Sequence, residues 1–211
     1  MTKNEQFSEK ISIEEGLDII KISMQNNDDQ LNEFLCVFKE NIEHLKFWIG
    51  DHREVLFDTI YDIKKHYENG ICYGIVYNAK IIGCIDIGKK DLDEDNLHYR
   101  GISYWIDKNH VRKGIMFKCL KSVEDLFVKE GLDRLYTSVE RINTPSVNLL
   151  EKWGFNESMP HHFLVNEKTG KMWWVYHVRK NLRNKARVRY RRKKKMHERI
   201  VFVPNFHARS A

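Results

Sequence analysis

The sequence has no stretch that approaches 18 consecutive apolar residues, so it predicts no membrane-spanning helix. Its first ten residues, MTKNEQFSEK, are polar and lack the apolar segment of a secretory signal. The few cysteines (Cys36, Cys72, Cys84 and Cys119) form no CxxC pair and no spacing typical of metal ligands. We therefore expect a cytoplasmic protein with reduced thiols, without a membrane partner and without a metal site.

The charge is distributed unevenly along the chain. Residues 179–211 contain 13 Lys and Arg and one acidic residue, Glu198, which is a net charge of +12. Since the whole chain carries +6, the first 178 residues carry −6. A segment so rich in charge cannot bury much surface. We expect one folded domain, residues 1–180, followed by a mobile basic tail, residues 181–211. The tail either contacts RNA or the ribosome through phosphates or has no role.

Hydrophobic periodicity predicts the element order β-α-α-β-β-β-α-β-α-β. The two apolar runs that flank Asn78 and Ala79 predict an antiparallel hairpin, and the later β-α-β segment predicts a crossover. The sequence therefore predicts a mixed α/β sheet. Strands are expected at 11–23 (interrupted by Gly16), 71–78, 80–88, 98–107, 132–140 and 171–180, and helices at 27–49, 51–70 (with Asp51 as N-cap), 114–131 and 143–155.

A turn with several cations connects the strand 98–107 to the helix that follows it, in WIDKNHVRKGIMFKCL. The first N–H groups of a helix have no partner within the helix and carry partial positive charge, so they can bind a phosphate. Gly114 has no side chain and would let a ligand approach the backbone closely. The cations Lys108, Arg112 and Lys113 would attract an anion. The turn alone predicts either a phosphate site or an ordinary cationic surface loop.

A second motif follows about 30 residues later, after the next strand. Together, YWID-x-x-x-V-R-K-G-I-M and N-T-P-S-x-x-L-L-E-K-W-G-F resemble the GNAT superfamily of N-acetyltransferases, in particular the RimJ/RimL branch that acetylates N-termini of ribosomal proteins. The segment NIEHLKFWIG (41–50) is similar to the same branch. The resemblance spans residues 10 to 180. It implies the GNAT fold, a mixed, mostly antiparallel sheet that is splayed at its centre and flanked by helices.

The resemblance implies acetyl-CoA as the cosubstrate, with its pyrophosphate held on the backbone amides of the turn. It also implies a backbone N–H of the splayed strand, near residues 103–107 with Ile106 as the candidate, for the thioester oxygen. Within the turn the chain departs from the family pattern at two positions, since Val111 replaces the usual Gln or Arg and Met116 replaces a second Gly or Ala. Met116 should narrow the approach to the turn. The implied pyrophosphate ligands are Val111, Arg112, Lys113, Gly114, Ile115 and Met116.

The motif N-x-x-S supplies two further candidates. By resemblance, Ser146 protonates the departing thiolate, and Asn143 binds or orders the pantetheine arm. The alternative is structural, because Asn143 is also a favourable N-cap and Ser146 lies in the first turn of the helix. Many relatives carry a tyrosine as the acid one turn later, but the corresponding residue here is Leu150.

The general base is the least defined group. Glu167 lies close to the place where the branch carries a carboxylate, and His161 and His162 lie in the same loop. Histidines titrate in a useful range, but a surface histidine is usually inert. A base that acts through water is a further alternative. Direct attack of the amine on the thioester would need no acyl-enzyme and therefore no nucleophilic Cys or Ser.

These observations favour an acetyl-CoA-dependent N-acetyltransferase whose acceptor is a primary amine. The favoured acceptor is a protein N-terminus of ribosomal-protein type. The alternative acceptors are polyamines and aminoglycosides, and the acidic body would attract a cationic acceptor. The alternative function is a nucleic-acid- or ribosome-binding adaptor on a catalytically silent acetyltransferase-like fold. The sequence is compatible with a monomer or a homodimer.

Overall fold

The computed structural model describes residues 10–25, 27–49, 57–68, 70–92, 97–129, 131–140, 142–157, 162–165 and 172–182. Within these ranges the chain forms ten strands and five α-helices. The elements in chain order are β1 (Lys10–Glu14), β2 (Leu17–Lys21), α1 (Asp28–Glu40), α2 (Ile42–Ile49), α3 (Ile60–His66), β3 (Ile71–Tyr77), β4 (Lys80–Ile87), β5 (Asp91–Leu92), β6 (His98–Ile106), α4 (Ile115–Lys129), β7 (Arg134–Glu140), α5 (Thr144–Trp153), β8 (Asn156–Glu157), β9 (His162–Val165) and β10 (Met172–Asn181). A 3-10 turn, Lys108–His110, precedes α4.

The strands form one mixed sheet in the order β1-β2-β3-β4-β6-β7-β10-β8, with β5 beside β6 and β9 beside β10. The strand pairs of the described residues are antiparallel except β6 and β7, which run parallel. Their parallel direction follows from the crossover through α4. The predicted mixed, mostly antiparallel sheet flanked by helices is confirmed.

The two central strands separate along their length. The β6–β7 pairing covers Tyr99 to Gly101, whereas β6 pairs with β4 from Ile102 to Ile106. Beyond Gly101, β6 therefore stays with β4 and leaves β7. We call the space that opens between β7 and residues 102–106 of β6 the strand gap. It corresponds to the predicted splay at the centre of the sheet.

Helices cover the two faces of the sheet with separate cores. On one face, α4 contributes Leu120, Val123 and Phe127 to a buried cluster that also includes residues of α5. On the other face, Phe34 and Phe38 of α1 are buried in a second cluster with residues of α3. Burial of these apolar side chains is the main favourable contribution to folding. The two cores fix the position of the strand gap between the helix layers.

The strand-like stretch at 11–23, predicted to be interrupted at Gly16, forms two strands. Residues 11–23 form the hairpin of β1 and β2, because the chain reverses at Gly16. Gly16 has φ +74, a left-handed conformation that glycine adopts without steric cost. Its carbonyl accepts a hydrogen bond from the Asn78 N–H at 2.8 Å, which joins this turn to the next hairpin.

The single helix predicted at 27–49 is divided in two at Asn41. The Asn41 side chain is buried and donates to the Val37 carbonyl at 2.9 Å. Its Oδ1 accepts from the Lys108 N–H at 2.9 Å. Asn41 therefore ends α1 and connects that end to the turn after β6. Helical periodicity continues across the break, so it gave no sign of the interruption.

The helix predicted at 51–70 is much shorter than expected. Helix α3 begins at Ile60, where Thr59 and Asp62 form a capping box with hydrogen bonds in both directions. The predicted N-cap, Asp51, lies outside the described residues. Three short strands, β5, β8 and β9, lie between the elements that the sequence predicted.

Other local predictions are confirmed. Asn78 and Ala79 have φ values of 49 and 62, as a tight hairpin turn requires. Helix α5 begins with Pro145 in its first turn and ends at Gly154, which has φ +96. Among the described residues no helix is long and apolar enough to cross a membrane.

Candidate active site

The turn before α4 has the backbone conformation of an anion site. Arg112 and Gly114 have φ values of 60 and 76, so the chain passes twice through the left-handed region within three residues. Such a turn directs successive N–H groups to one side. The first helical hydrogen bond runs from the Lys118 N–H to the Gly114 carbonyl at 3.2 Å. The N–H groups of the first helical turn have no acceptor within the helix and point along its axis toward the preceding turn.

The space around this turn is open. A Cβ atom built on Gly114 would meet no atom within 4 Å. Ile115 and Met116 are buried in the core under the sheet, so the Met116 side chain points away from the turn. The sequence-based expectation that Met116 narrows the approach is therefore wrong. The side chains of Arg112 and Lys113 are exposed beside the turn.

Lys108 has a different environment from the other two cations. Its N–H binds the Asn41 side chain, and its Nζ lies 3.5 Å from the Glu40 carbonyl at the end of α1. Asp107 caps the 3-10 turn by accepting from the Asn109 N–H and pairing with His110 at 2.8 Å. Arg112 and Lys113 thus lie exposed beside the turn, whereas Lys108 connects the turn to the end of α1 by hydrogen bonds.

Backbone N–H groups of β6 face the strand gap. The Asp107 N–H donates to the Ile82 carbonyl of β4 at 2.7 Å, so its backbone points away from β7. Directions alternate along a strand, and the N–H groups of Tyr104 and Ile106 therefore point toward β7, across the gap. This is the position that the sequence assigned to Ile106.

A hydroxyl pair lies on the α5 side of the gap. The Tyr104 hydroxyl and the Ser146 Oγ are 2.9 Å apart, and either oxygen can be the donor. Burial raises the pKa of Tyr104 to about 12, although the hydrogen bond to Ser146 opposes the shift. Tyr104 therefore keeps its proton at neutral pH. The pair joins β6 to the first turn of α5.

Asn143 is the N-cap of α5. Its Oδ1 accepts from the Ser146 N–H at 3.2 Å, so the structural alternative foreseen from the sequence is realised. The cap fixes the helix start and places Ser146 beside Tyr104. Leu150, one turn later, is 2% exposed and belongs to the core. No acid can act from that position.

An open cavity lies on the opposite face of the sheet, beside the strand gap. We call it the sheet cavity. It has a volume of about 590 Å³ and is lined by residues of α3, β4, β6 and β7. Asp86 of β4 and Ser103 of β6 are partners in the strand register, and both line the cavity. The cavity is therefore placed where β6 starts to leave β7.

Asp86 is held by hydrogen bonds from three directions. Its Oδ1 accepts from the Tyr67 hydroxyl at 2.6 Å and from the Cys84 thiol at 3.3 Å. Its Oδ2 accepts from the Ser103 hydroxyl at 3.2 Å. Burial raises the pKa of Asp86, and these hydrogen bonds reduce the shift without cancelling it. Asp86 is a better proton acceptor than an ordinary Asp side chain.

The same place contains a group of possible metal ligands. Sγ of Cys72, Sγ of Cys84 and a carboxylate oxygen of Asp86 lie within 4.8 Å of one another. Burial raises the pKa of both thiols, which favours the neutral form that binds metal poorly. Structural zinc sites also need four ligands. The geometry therefore supports a hydrogen-bonded network better than a metal site.

The structure does not place the remaining candidates from the sequence, Glu167, His161 and His162, in the site. Glu167 and His161 lie outside them, as does the chain after Leu182. His162 begins β9, which pairs with β10. Sequence reasoning missed Asp86 and the role of Tyr104. A polar Asp within the apolar run KIIGCIDIG was the available signal for Asp86. Nothing in the spacing could indicate that Tyr104 meets Ser146.

Residues 34–155 match the sequence profile of the Acetyltransferase (GNAT) family. This range contains the 111–114 turn, the strand gap, Ser146 and the residues that line the sheet cavity. Comparison with curated protein sequences gives no significant match.

Solved structures with the same fold include three described acetyltransferases. The ribosomal-protein-S5-alanine acetyltransferase from Vibrio fischeri has a TM-score of 0.68 at 18% identity, over 83% of this chain and 97% of its own. An acetyltransferase from Salmonella typhimurium that modifies the N-terminal serine of ribosomal protein L7/L12 has a TM-score of 0.66 at 14% identity, over 82% and 99%. The microcin C7 self-immunity acetyltransferase MccE, solved with acetyl-CoA and AMP, has a TM-score of 0.65 at 15% identity, over 83% and 97%. At these identities the likeness shows a shared fold.

Proposed function

Because the chain belongs to the GNAT family of acetyl-CoA-dependent N-acetyltransferases, we propose that its acceptor is a protein N-terminus of ribosomal-protein type. The observation that carries this proposal is the strand gap, with an open cavity on one face and the Tyr104–Ser146 pair on the other. An amine that enters from the cavity would meet a thioester in the gap. Attack would be direct, without an acyl-enzyme.

The turn before α4 fits the pyrophosphate of acetyl-CoA. We assign its backbone amides to the phosphate oxygens, with Gly114 leaving the approach open and the exposed Arg112 and Lys113 adding attraction. Acetyl-CoA supplies the activated acetyl group when it is bound. The proposed pyrophosphate ligands remain Val111, Arg112, Lys113, Gly114, Ile115 and Met116.

The Ile106 N–H is proposed to donate to the thioester oxygen from the edge of β6. A donor held in place by the sheet stabilises developing negative charge without having to reorient. We propose that Asn143 orders the pantetheine arm in addition to capping α5. Its side chain is half-buried at the helix end next to the gap.

We propose that Ser146 gives a proton to the departing thiolate. Tyr104 acts as its positioning residue, because its hydroxyl lies 2.9 Å from the Ser146 Oγ and stays protonated. The serine thereby replaces the acid that Leu150 cannot supply. We also propose Glu167 as the general base. This residue lies outside the described ranges, and its role rests on the resemblance.

The proposed acceptor class has two supports. The relatives from Vibrio fischeri and Salmonella typhimurium are described as acting on ribosomal proteins, and one of them on an N-terminal serine. The sheet cavity is open to solvent and wide enough for the first residues of an extended peptide. We also propose that the basic tail, residues 181–211, contacts ribosomal RNA, beside a catalytic domain of residues 1–180.

A panel of amine acceptors with acetyl-CoA tests the proposal directly. It should contain N-terminal peptides that begin with Ser or Ala, the same peptides with a blocked N-terminus, a polyamine and an aminoglycoside. We expect thiol release and a mass gain of one acetyl group for the free peptides and neither for the blocked ones. Preferential transfer to the polyamine or aminoglycoside would contradict the acceptor class but not acetyl transfer.

The alternative function is a catalytically silent adaptor that binds nucleic acid. The observation in its favour is the core position of Leu150, where many relatives carry the acid. An adaptor would release no thiol with any amine of the panel and would still bind RNA.

A further inference from the structure

Asp86 occupies a position that no sequence motif assigned to the site. It lies in the middle of the sheet on β4, where it is half-buried and lines the open sheet cavity. Tyr67, Cys84 and Ser103 hold its two oxygens in one orientation. These hydrogen bonds offset part of the free-energy cost of a carboxylate within an otherwise apolar strand.

The carboxylate and the Tyr104–Ser146 pair lie on opposite faces of the same gap. Ser103, the partner of Asp86, is next to Tyr104 in β6, and adjacent side chains of a strand point to opposite faces. Tyr104 packs against the core that contains α4 and α5, whereas Cys84 belongs to the core of α1 and α3. One face of the gap thus offers a proton acceptor and the other a proton donor.

We propose that Asp86 binds the ammonium group of the acceptor in the sheet cavity and takes a proton from it, which makes the amine nucleophilic. This assignment rests on the proposed acetyl transfer and gives the role of general base to Asp86 in place of Glu167. The proton passes from nitrogen to the Asp86 carboxylate and leaves through the open cavity. The N–C bond then forms and the C–S bond breaks. The nitrogen loses its second proton to the Asp86 carboxylate, which has by then released the first proton to solvent. Ser146 gives its proton to the sulfur and regains one from solvent through the Tyr104 hydroxyl. The net products are the amide, the free thiol and one proton released to solvent, so protons and charge balance.

The surroundings of Asp86 suit this task. His66 at the end of α3, the following residue Tyr67, Cys72 of β3 and Cys84 of β4 face it. Lys89 and Tyr136 line the same cavity. Burial outweighs the hydrogen bonds and raises the pKa of Asp86, so the carboxylate accepts a proton more readily. The positive charge of a protonated His66 acts in the opposite direction.

The test compares Asp86→Asn with wild type in transfer to the free N-terminal peptide over a range of pH. Asn keeps the size of the side chain and an oxygen for Tyr67, but it accepts no proton. We expect kcat/KM for the peptide to fall about 10²- to 10⁴-fold at neutral pH. The loss should shrink as pH rises through the pKa of the peptide amine, because solvent then supplies the neutral form. The Kd for acetyl-CoA, measured by calorimetry, should not change.

The matched control is Asp125→Asn, the same substitution at an exposed position of α4. It should leave the pH profile and kcat/KM as in wild type. If Asp86→Asn shows the wild-type profile, the assignment is wrong while the proposed function stands. If wild type transfers acetyl to no amine, the proposed function fails and this assignment fails with it.

A second variant, Ser103→Ala, keeps the test valid if Asp86→Asn does not fold. Ser103 is exposed, and its hydrogen bond lowers the pKa of Asp86. Its removal should therefore shift the acidic limb of the kcat/KM profile to higher pH. A lower rate with an unmoved limb would mean that Asp86 does not titrate in the reaction and would overturn the assignment.

Discussion

At the scale of single residues, the site depends on pairs that are distant in the sequence. Tyr104 and Ser146 are 42 positions apart and meet because the crossover through α4 brings α5 next to β6. Asp86 and Ser103 meet because β4 and β6 are neighbours in the sheet. Each pair places a proton-carrying group beside the strand gap, on opposite faces of the sheet.

Because Tyr104 and Ser146 share a hydrogen bond, the effects of substituting them on kcat should not be additive. Ser146→Ala should lower kcat about 10²-fold if the serine is the acid. Tyr104→Phe removes one hydrogen bond and should cost roughly three- to tenfold. In the double variant the tyrosine no longer has a serine to orient, so the loss should equal that of Ser146→Ala alone. Steady-state kinetics of all three variants measure this, and additive losses would contradict the positioning role.

Asp86 should also oppose folding when it is ionised. Its pKa is higher in the folded state than the ordinary value of 3.8, so the unfolded chain releases its proton more easily. The destabilisation is absent at low pH, develops as pH rises through the ordinary pKa, and is complete above the folded pKa. Asp86→Asn should therefore raise Tm at neutral pH and raise it less at acidic pH. Thermal unfolding at both pH values tests this, and a lower Tm at neutral pH would contradict it.

At the scale of elements, a buried ion pair joins β10 to α4 and α5. The Lys180 Nζ lies 2.8 Å from Oε2 of Glu124, which also accepts from the Trp153 Nε1 at 2.8 Å. Burial alone would raise the pKa of Glu124, but the hydrogen bonds from Lys180, Lys121 and Trp153 hold it below its ordinary value. The ion pair therefore holds β10 against α4, the helix that follows the 111–114 turn, and against α5.

The variant Lys180→Met should have a lower free energy of unfolding than wild type. Glu124 stays largely buried in it, and among the described residues only the exposed Lys121 still pairs with its carboxylate. Removal of one partner of a buried pair costs about 3 to 5 kcal/mol. The double variant Lys180→Met with Glu124→Leu should recover most of this loss. Urea unfolding followed by circular dichroism measures both, and an unchanged free energy of unfolding in Lys180→Met would contradict the importance of the pair.

The sequence predicted elements well where local rules decide them. The Asn78–Ala79 turn, Pro145 at the start of α5 and Gly154 at its end each follow from backbone preferences within a few residues. The break at Asn41 could not be predicted, because it depends on a hydrogen bond to Lys108, 67 residues away. The same reason explains why the turn before α4 was found from its motif while Asp86 was not.

At the scale of the whole molecule, the described fold ends shortly after β10. The Leu182 N–H donates to the Asp133 carbonyl at 2.9 Å, so the body includes at least this residue. The proposed tail, residues 181–211, overlaps this body at Asn181 and Leu182 and contains 11 Lys and Arg against one acidic residue, Glu198. Catalysis and ribosome contact are therefore proposed for separate segments.

Deletion of residues 183–211 should separate the two activities. We expect the truncated protein to acetylate a free peptide with wild-type kcat/KM, because Lys180 and Leu182 remain. Its affinity for ribosomal RNA should fall, and the dependence of log K on log salt should become shallower as phosphate contacts are lost. Peptide kinetics and an RNA titration at several salt concentrations measure this. Loss of transfer to the free peptide would contradict the division.

The most direct test of the account is acetyl-CoA binding to wild type and Gly114→Val by calorimetry. The control is Gly131→Val, which changes a glycine with nearly the same φ, +75 against +76, near the opposite end of α4. Both variants carry comparable backbone strain, but only Gly114→Val places a side chain over the amides of the turn. We predict saturable binding at one site, a loss of at least about tenfold in affinity for Gly114→Val and wild-type affinity for Gly131→Val. No saturable binding to wild type, or equal affinity in all three proteins, would contradict it.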